Sequence, residues 1–182
     1  MKAIDRLLQR WRLRQGLRWL GDDVRVVDVG AHEGELFAAL GPRLREGFGV
    51  EPLARTVVAG ARHSIHPGLF PETRPESTGW DAVTLFAVLE HIPRDRQAAL
   101  ADACHDLLRP GGRVVITVPS QSVDHILAVL RALRLIDGMS LEEHFGFEVA
   151  ETPTIFAPPR FRLLHHGRFQ LGLNHLLVFE RL

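Results

Sequence analysis

The chain has 182 residues, 22 basic and 22 acidic side chains, and a formal net charge of zero. That length supports one domain with a real core, and the even charge balance gives no electrostatic reason to expect a nucleic-acid partner. A single cysteine, Cys104, excludes an internal disulfide and a cysteine-based zinc site and suits a cytoplasmic setting; no apolar run reaches the roughly 20 residues of a membrane-spanning helix.

The first twenty residues, MKAIDRLLQRWRLRQGLRWL, are interrupted by arginines too often for a secretion signal. Ile4, Leu7, Leu8 and Trp11 share one helical face. The expectation is an amino-terminal helix (1–21) packed on the domain with its arginines in water, in preference to a helix lying on an anionic membrane surface. Residues 24–29 are short, β-branched and closed by Gly30, and read as the first strand. Residues 33–40 read as a helix stopped by Gly41 and Pro42. GFGVEP gives a brief second strand ending at Glu51, and 53–61 reads as the next helix. The stretch 63–79, rich in proline, glycine and serine, holds a short third strand near SIHPGLF and then a loop.

Residues 82–86 read as a fourth strand and 95–108 as a helix, broken by RPGG. RVVITVPS is the fifth strand. A helical apolar pattern follows over 123–135, then an irregular connection over 136–159, with a short helix after Thr152, that reads as a lid. The end of the chain reads as two adjoining strands with no helix between them, hence an antiparallel hairpin at the sheet edge. Strands alternating with helices give an α/β fold. The expectation is one domain (1–182) built on a Rossmann-like, doubly wound, seven-stranded sheet, mostly parallel with an antiparallel strand at the C-terminal edge. Its ligand belongs beyond the carboxyl ends of the strands.

The stretch VVDVGAHEGELF, strand into glycine turn into helix, raises the question of which ligand. A dinucleotide fingerprint needs G-x-G-x-x-G so that backbone can approach a pyrophosphate. Here the glycines are Gly30 and Gly34, a histidine (His32) stands at the closest-approach position, and Asp28 would repel a diphosphate. Both features disfavour NAD and suit a ligand with positive charge near the loop. A carboxylate can accept a charge-assisted hydrogen bond from an ammonium, while the ligand's own carboxylate sits at the helix amino end.

VVDVGAHEG, GVEP, WDAVTLFAVLEHI and LLRPGGRVVITVPS, in that order, resemble the four sheet motifs of class I S-adenosylmethionine-dependent methyltransferases, in particular small-molecule enzymes with VLEH after the fourth strand. The resemblance covers nearly the whole chain and departs from the pattern at His32, where the family has its middle glycine. It implies that Asp28, Gly30, Ala31, His32 and Gly34 line the methionine end of S-adenosyl-L-methionine, that Glu51 and Pro52 hold ribose, that Leu69 and Phe70 offer a slot for adenine with Glu72 near its amino group, and that Phe86 and Ala87 border the methyl donor. Histidine tolerates the positive φ that the turn demands better than most side chains.

Methyl transfer is displacement at carbon, so alignment and a dry pocket supply most of the effect. A base is needed only where the acceptor must lose a proton. His91 is one candidate catalytic residue, against a structural role in its turn; His144, flanked by Phe145 and Phe147, is the other, against a helix-cap setting. Glu90 reads as a helix-entry residue. The ten histidines show no metal-site spacing, so no metal is expected. The favoured function is methyl transfer to a small-molecule acceptor, with neither nucleic acid nor a membrane span. The alternatives are a non-catalytic methyltransferase-like binding module and, less favoured, a nucleotide-dependent oxidoreductase. Substrate walls would come from the amino-terminal helix, the 136–159 connection or the second subunit of a homodimer.

Overall fold

The sheet is laid down by two kinds of strand. Those buried on both faces are nearly continuous in Val, Ile and Leu, as parallel strands covered by helices must be; the edge strands alternate. In a computed structural model that describes the backbone of residues 3–120 and 148–182, and side chains from Leu7 onward, eight strands form one sheet. They are β1 (Val24–Val29), β2 (Leu44–Glu51), β3 (Val58–Ala59), β4 (His63–Pro67), β5 (Trp80–Phe86), β6 (Leu108–Pro119), β7 (Phe161–Phe169) and β8 (Asn174–Arg181), in the order β3-β4-β2-β1-β5-β6-β8-β7. The pairings β4–β2, β2–β1, β1–β5 and β5–β6 are parallel. β8 enters antiparallel between β6 and β7. The described helices are α1 (Ala3–Leu17), α2 (Glu35–Leu40), α3 (Arg94–Leu107) and α4 (Thr152–Ile155).

Alternation along β1 splits the core in two. Val26 faces the side covered by α1 and α2, packing with Leu36, Phe37, Leu40, Val115 and Val178. Val27 and Val29 face the other side, with Leu100, Cys104 and Leu107 of α3 and with Phe156, Phe161 and Phe179. Phe156 lies edge-on to Phe161 and stacks on Phe179, with centroids 5.4 and 5.2 Å apart, so the described end of the connection into β7 is anchored by aromatic packing. α1 lies on the domain, with Leu13 and Leu17 against the first core. Arginine side chains hold its carboxyl end: Arg43 donates to the carbonyls of Leu17, Leu20 and Gly21, and Arg113 to that of Trp19.

Four expectations need correction. The sheet has eight strands among the described residues, not seven, because the helix expected over 53–61 does not form. Nearly every residue there is exposed, so a helix would have no apolar face to bury. Its β-branched Val58 instead pairs with Ile65, and Gly60 closes a tight turn onto the carbonyl of His63. The helix expected from residue 33 starts at Glu35, because Gly34 has φ 84° and a left-handed residue cannot lie inside a right-handed helix. The fifth strand begins at Leu108, earlier than RVVITVPS, because RPGG is absorbed as a register shift between Trp80 and Ala82 of the neighbouring strand. The helix expected over 123–135 and most of the 136–159 connection lie outside the described residues.

Candidate functional site

The crevice is set by the end of β1. Asp28 is buried, and its Oδ1 accepts a 2.6 Å hydrogen bond from the hydroxyl of Thr84, its register partner on β5. Burial pushes the Asp28 carboxyl up to about 7; the Thr84 hydroxyl opposes the shift, and the charges of Glu35 and Glu51 add to it. After β1 the chain turns sharply. The amides of Gly30 and Ala31 both donate to the carbonyl of Val50 on β2, at 2.8 and 3.1 Å. Gly30 has φ 77°, and a Cβ there would lie 2.6 Å from Cγ2 of Val88, so this position requires glycine on two counts. His32 has φ 47°: the left-handed turn is kept with histidine in place of glycine.

His32 is tied on both sides. Its amide donates to Oε2 of Glu51 (2.9 Å), and its Nδ1 lies 2.9 Å from Oε1 of Glu35. The hydrogen bond to Glu35 raises the His32 pKa above its ordinary value, against a smaller opposing effect of burial. For Glu35, burial pushes upward, but bonds from its own backbone, from His32 and from Gln9 of α1 outweigh it and hold the carboxyl below its usual range. Oε2 of Glu35 also takes the Glu33 amide at 3.2 Å. Glu35 thus fills the amino end of α2 with its own carboxylate, in the place expected for a ligand carboxylate; an anionic side chain at the first helical position competes for the same amides.

Glu51 sits at the carboxyl end of β2. Each carboxylate oxygen accepts one backbone amide, Oε2 from His32 and Oε1 from Leu53 at 3.0 Å. A carboxylate oxygen has two acceptor sites, so one remains on each: the pattern needed by two adjacent hydroxyls. Pro52 follows at the rim and is exposed. The two residues expected at adenine part company. Phe70 is buried in the core on the α3 side, whereas Leu69 is exposed on the loop after β4. Glu72 turns away from the crevice to an ion pair with Arg96 of α3.

On the β5 side, Phe86 lies against α1 and Ala87 has φ 57°. A left-handed non-glycine residue immediately after a central strand is a strained position of the kind found at ligand sites. His91 ends a 3-10 turn (Leu89–His91) and is exposed. His144 lies outside the described residues. Among those described, one group could hold a metal: ligand atoms of His32, Glu33 and Glu35 lie within 4.8 Å of one another. The cluster is explained by the bonds just given and is not by itself a metal centre. His165 and His166 turn to different partners, Trp19 and His175.

The sequence reading missed two contributors: Thr84, legible only as a hydroxyl inside a buried strand, and Glu35 at the start of α2; α1, expected against the site, is there with its Gly16 pressed on Phe86. The donor set fits S-adenosylmethionine. Four carboxylates (Asp28, Glu33, Glu35 and Glu51) surround a loop with one imidazole, which favours a cationic ligand and disfavours a diphosphate. Asp28 would face the ammonium, Glu51 the ribose hydroxyls; the ligand supplies an electrophilic methyl group on sulfonium.

Comparison with known proteins agrees with this geometry. Residues 2–152 match the family model described as a methyltransferase domain. The ubiquinone biosynthesis O-methyltransferase of Leptothrix cholodnii is 27% identical over 122 residues, 61% of this chain and 51% of that protein. The protein of the same name from Xylella fastidiosa (strain 9a5c) is 33% identical over 121 residues, 59% of this chain and 47% of its own. The chain therefore spans about half the length of these curated relatives. Magnesium protoporphyrin IX methyltransferase (ChlM) from Synechocystis PCC 6803, solved with bound SAH, superposes with a TM-score of 0.69 at 14% identity, covering 100% of this chain and 89% of that chain, and so shares the fold. No helix among the described residues is long and apolar enough to cross a membrane. The chain belongs to the methyltransferase-domain family, the class I S-adenosylmethionine-dependent methyltransferases.

Proposed function

We propose that this chain transfers the methyl group of S-adenosylmethionine to a small-molecule acceptor, and that it does so in the cytoplasm. One observation carries the reading: the crevice at the carboxyl ends of β1 and β2 is lined by acids, with a buried Asp28 and a Glu51 whose two oxygens each keep one free acceptor site. In this reading Asp28, Gly30, Ala31, His32 and Gly34 hold the methionine end, Glu51 and Pro52 the ribose, and Phe86 and Ala87 border the methyl group. Leu69 is the better of the two adenine candidates, since Phe70 is committed to the core. The names of the relatives direct the acceptor atom towards oxygen. Acceptor walls come from α1 or from a second copy of the chain; the lid expected over 136–159 falls mostly outside the described residues.

A thermal-shift titration tests this. A ligand specific for the folded state, present at about 100 times its dissociation constant, adds roughly 2.7 kcal/mol of stability. S-adenosylhomocysteine should raise Tm and NADH should not. Methyl release from labelled S-adenosylmethionine across a set of hydroxylated and aminated acceptors then separates an enzyme from a non-catalytic binding module. A shift with NADH alone would overturn the reading.

A further inference from the structure

α1 crosses the carboxyl end of β5 at very short range: a Cβ on Gly16 would lie 2.2 Å from Cζ of Phe86. One helical turn earlier, on the same face, α1 carries Arg12. Its Nε is buried without a hydrogen-bond partner, and so is Oε2 of Glu90, in the turn that follows β5. Glu90 is 3% exposed. The guanidinium and the carboxylate are near enough to act on each other as charges. A buried donor and a buried acceptor left unsatisfied together are costly, and a ligand that supplies both partners recovers that cost.

We propose that Arg12 and Glu90 form the recognition site for the acceptor's hydroxyl group, which makes the acceptor a phenol or an alcohol; this rests on the methyltransferase reading above. A hydroxyl is the small group that meets both needs, its O–H donating to Glu90 Oε2 while a lone pair accepts from Arg12 Nε–H. Glu90 then takes the hydroxyl proton as the oxygen lone pair forms the new C–O bond and the C–S pair passes to sulfur, leaving a methyl ether, S-adenosylhomocysteine and a protonated Glu90. Burial pushes the Glu90 carboxyl up to about 7, against the pull of its own backbone amide and of Arg12, so near neutral pH it can take the proton and return it to water. The ether then offers Glu90 no donor and is held less tightly than the substrate. His91, although next in sequence, is exposed and does not share this buried setting.

The competing role for the pair is purely structural, an ion pair that pins α1 to the domain. The test is a fluorescence titration of 2-naphthol and of its methyl ether, 2-methoxynaphthalene, onto the full chain saturated with S-adenosylhomocysteine. Wild type should bind the naphthol at least about tenfold more tightly, because the ether leaves a buried polar group unpaired. Glu90→Gln and Arg12→Met should bring the preference to within about twofold while affinity for S-adenosylhomocysteine stays within about threefold; Arg12→Lys should keep part of it. Equal binding of the two probes, failure of 2-naphthol to bind, or variants that lower Tm yet keep the full preference would each overturn the proposal. If a variant does not fold, wild type and Arg12→Lys still decide. If S-adenosylhomocysteine itself does not bind, the methyltransferase reading falls, and the same pair of probes on the unliganded chain decides the hydroxyl site separately.

Discussion

The two ends of the sheet treat charge in opposite ways. At the amino ends of the strands, acids and bases are matched: Arg25 with Glu46 at 2.6 Å, Arg109 with Asp81 at 2.7 Å, Arg43 with Asp22 at 2.8 Å, and Arg45 with both Asp23 and Asp81 at 3.5 and 3.8 Å. At the carboxyl ends of β1 and β2, Asp28, Glu33, Glu35 and Glu51 crowd together, with His32 their one charged-capable partner in the loop. A net charge of zero conceals this polarity. Paired charge at a surface contributes little and recruits nothing; uncompensated charge of one sign over partly buried walls attracts a ligand of the other.

The contrast can be broken most severely at Glu51. On the proposed reading its removal takes away two charge-assisted bonds to ribose, each worth roughly 1.5–3 kcal/mol, and it also unties the amides of His32 and Leu53. Glu51→Ala should lower affinity for S-adenosylhomocysteine by at least about 100-fold, by isothermal titration. A smaller, pH-dependent effect is expected at Asp28. Its pKa is about 7 in the folded chain against an ordinary value of 3.8, so the folded state holds the proton more tightly than the unfolded one. Its burial therefore costs nothing below about pH 4, and the cost grows as pH rises towards 7 and levels off above it, on the order of 4 kcal/mol.

An ammonium ligand needs the carboxylate, so affinity should fall as pH drops from 8 to 6, approaching about tenfold per pH unit below 7. Asp28→Asn should flatten that profile and make the unliganded chain more stable above pH 7, with Glu90, also raised to about 7, retaining its own share of the slope. A pH-independent affinity in wild type would contradict the assignment.

His32→Gly should change stability by no more than about 1 kcal/mol, because relief of left-handed strain offsets loss of the tie to Glu35. The smallest effect belongs to the matched end: Arg109→Ala should cost at most about 1 kcal/mol and leave ligand affinity unchanged. A large loss of binding there would mean that the two ends are not separable.

Much of this was legible in the sequence, for identifiable reasons. β1 could be read to the residue because four of its six residues are valine, as a strand buried on both faces favours, and Gly30 ends it. The hairpin of β7 and β8 followed from two strands with no helix between them. Glu51 was placed correctly at the end of β2, although its bonds to His32 and Leu53 were not foreseen.

The errors were of one type. Over 53–61 local periodicity suggested a helix, but no partner surface exists to bury its face, and burial is a tertiary fact. Phe70, expected beside adenine, is in the core because the loop after β4 folds inward at that residue. Glu35, for which no role was expected, folds back onto its own helix end. Arg12 and Glu90 lie 78 positions apart by subtraction of their numbers, so only the packing of α1 on β5 brings them together.

The most direct test of the acid-lined crevice is isothermal titration of S-adenosylhomocysteine and of NADH into wild type and Glu51→Ala at pH 8. Saturable binding of S-adenosylhomocysteine to wild type alone, with no heat from NADH, is the expected result. Equal binding by the Glu51→Ala chain, or binding of the dinucleotide in place of the cationic adenosine compound, would contradict it.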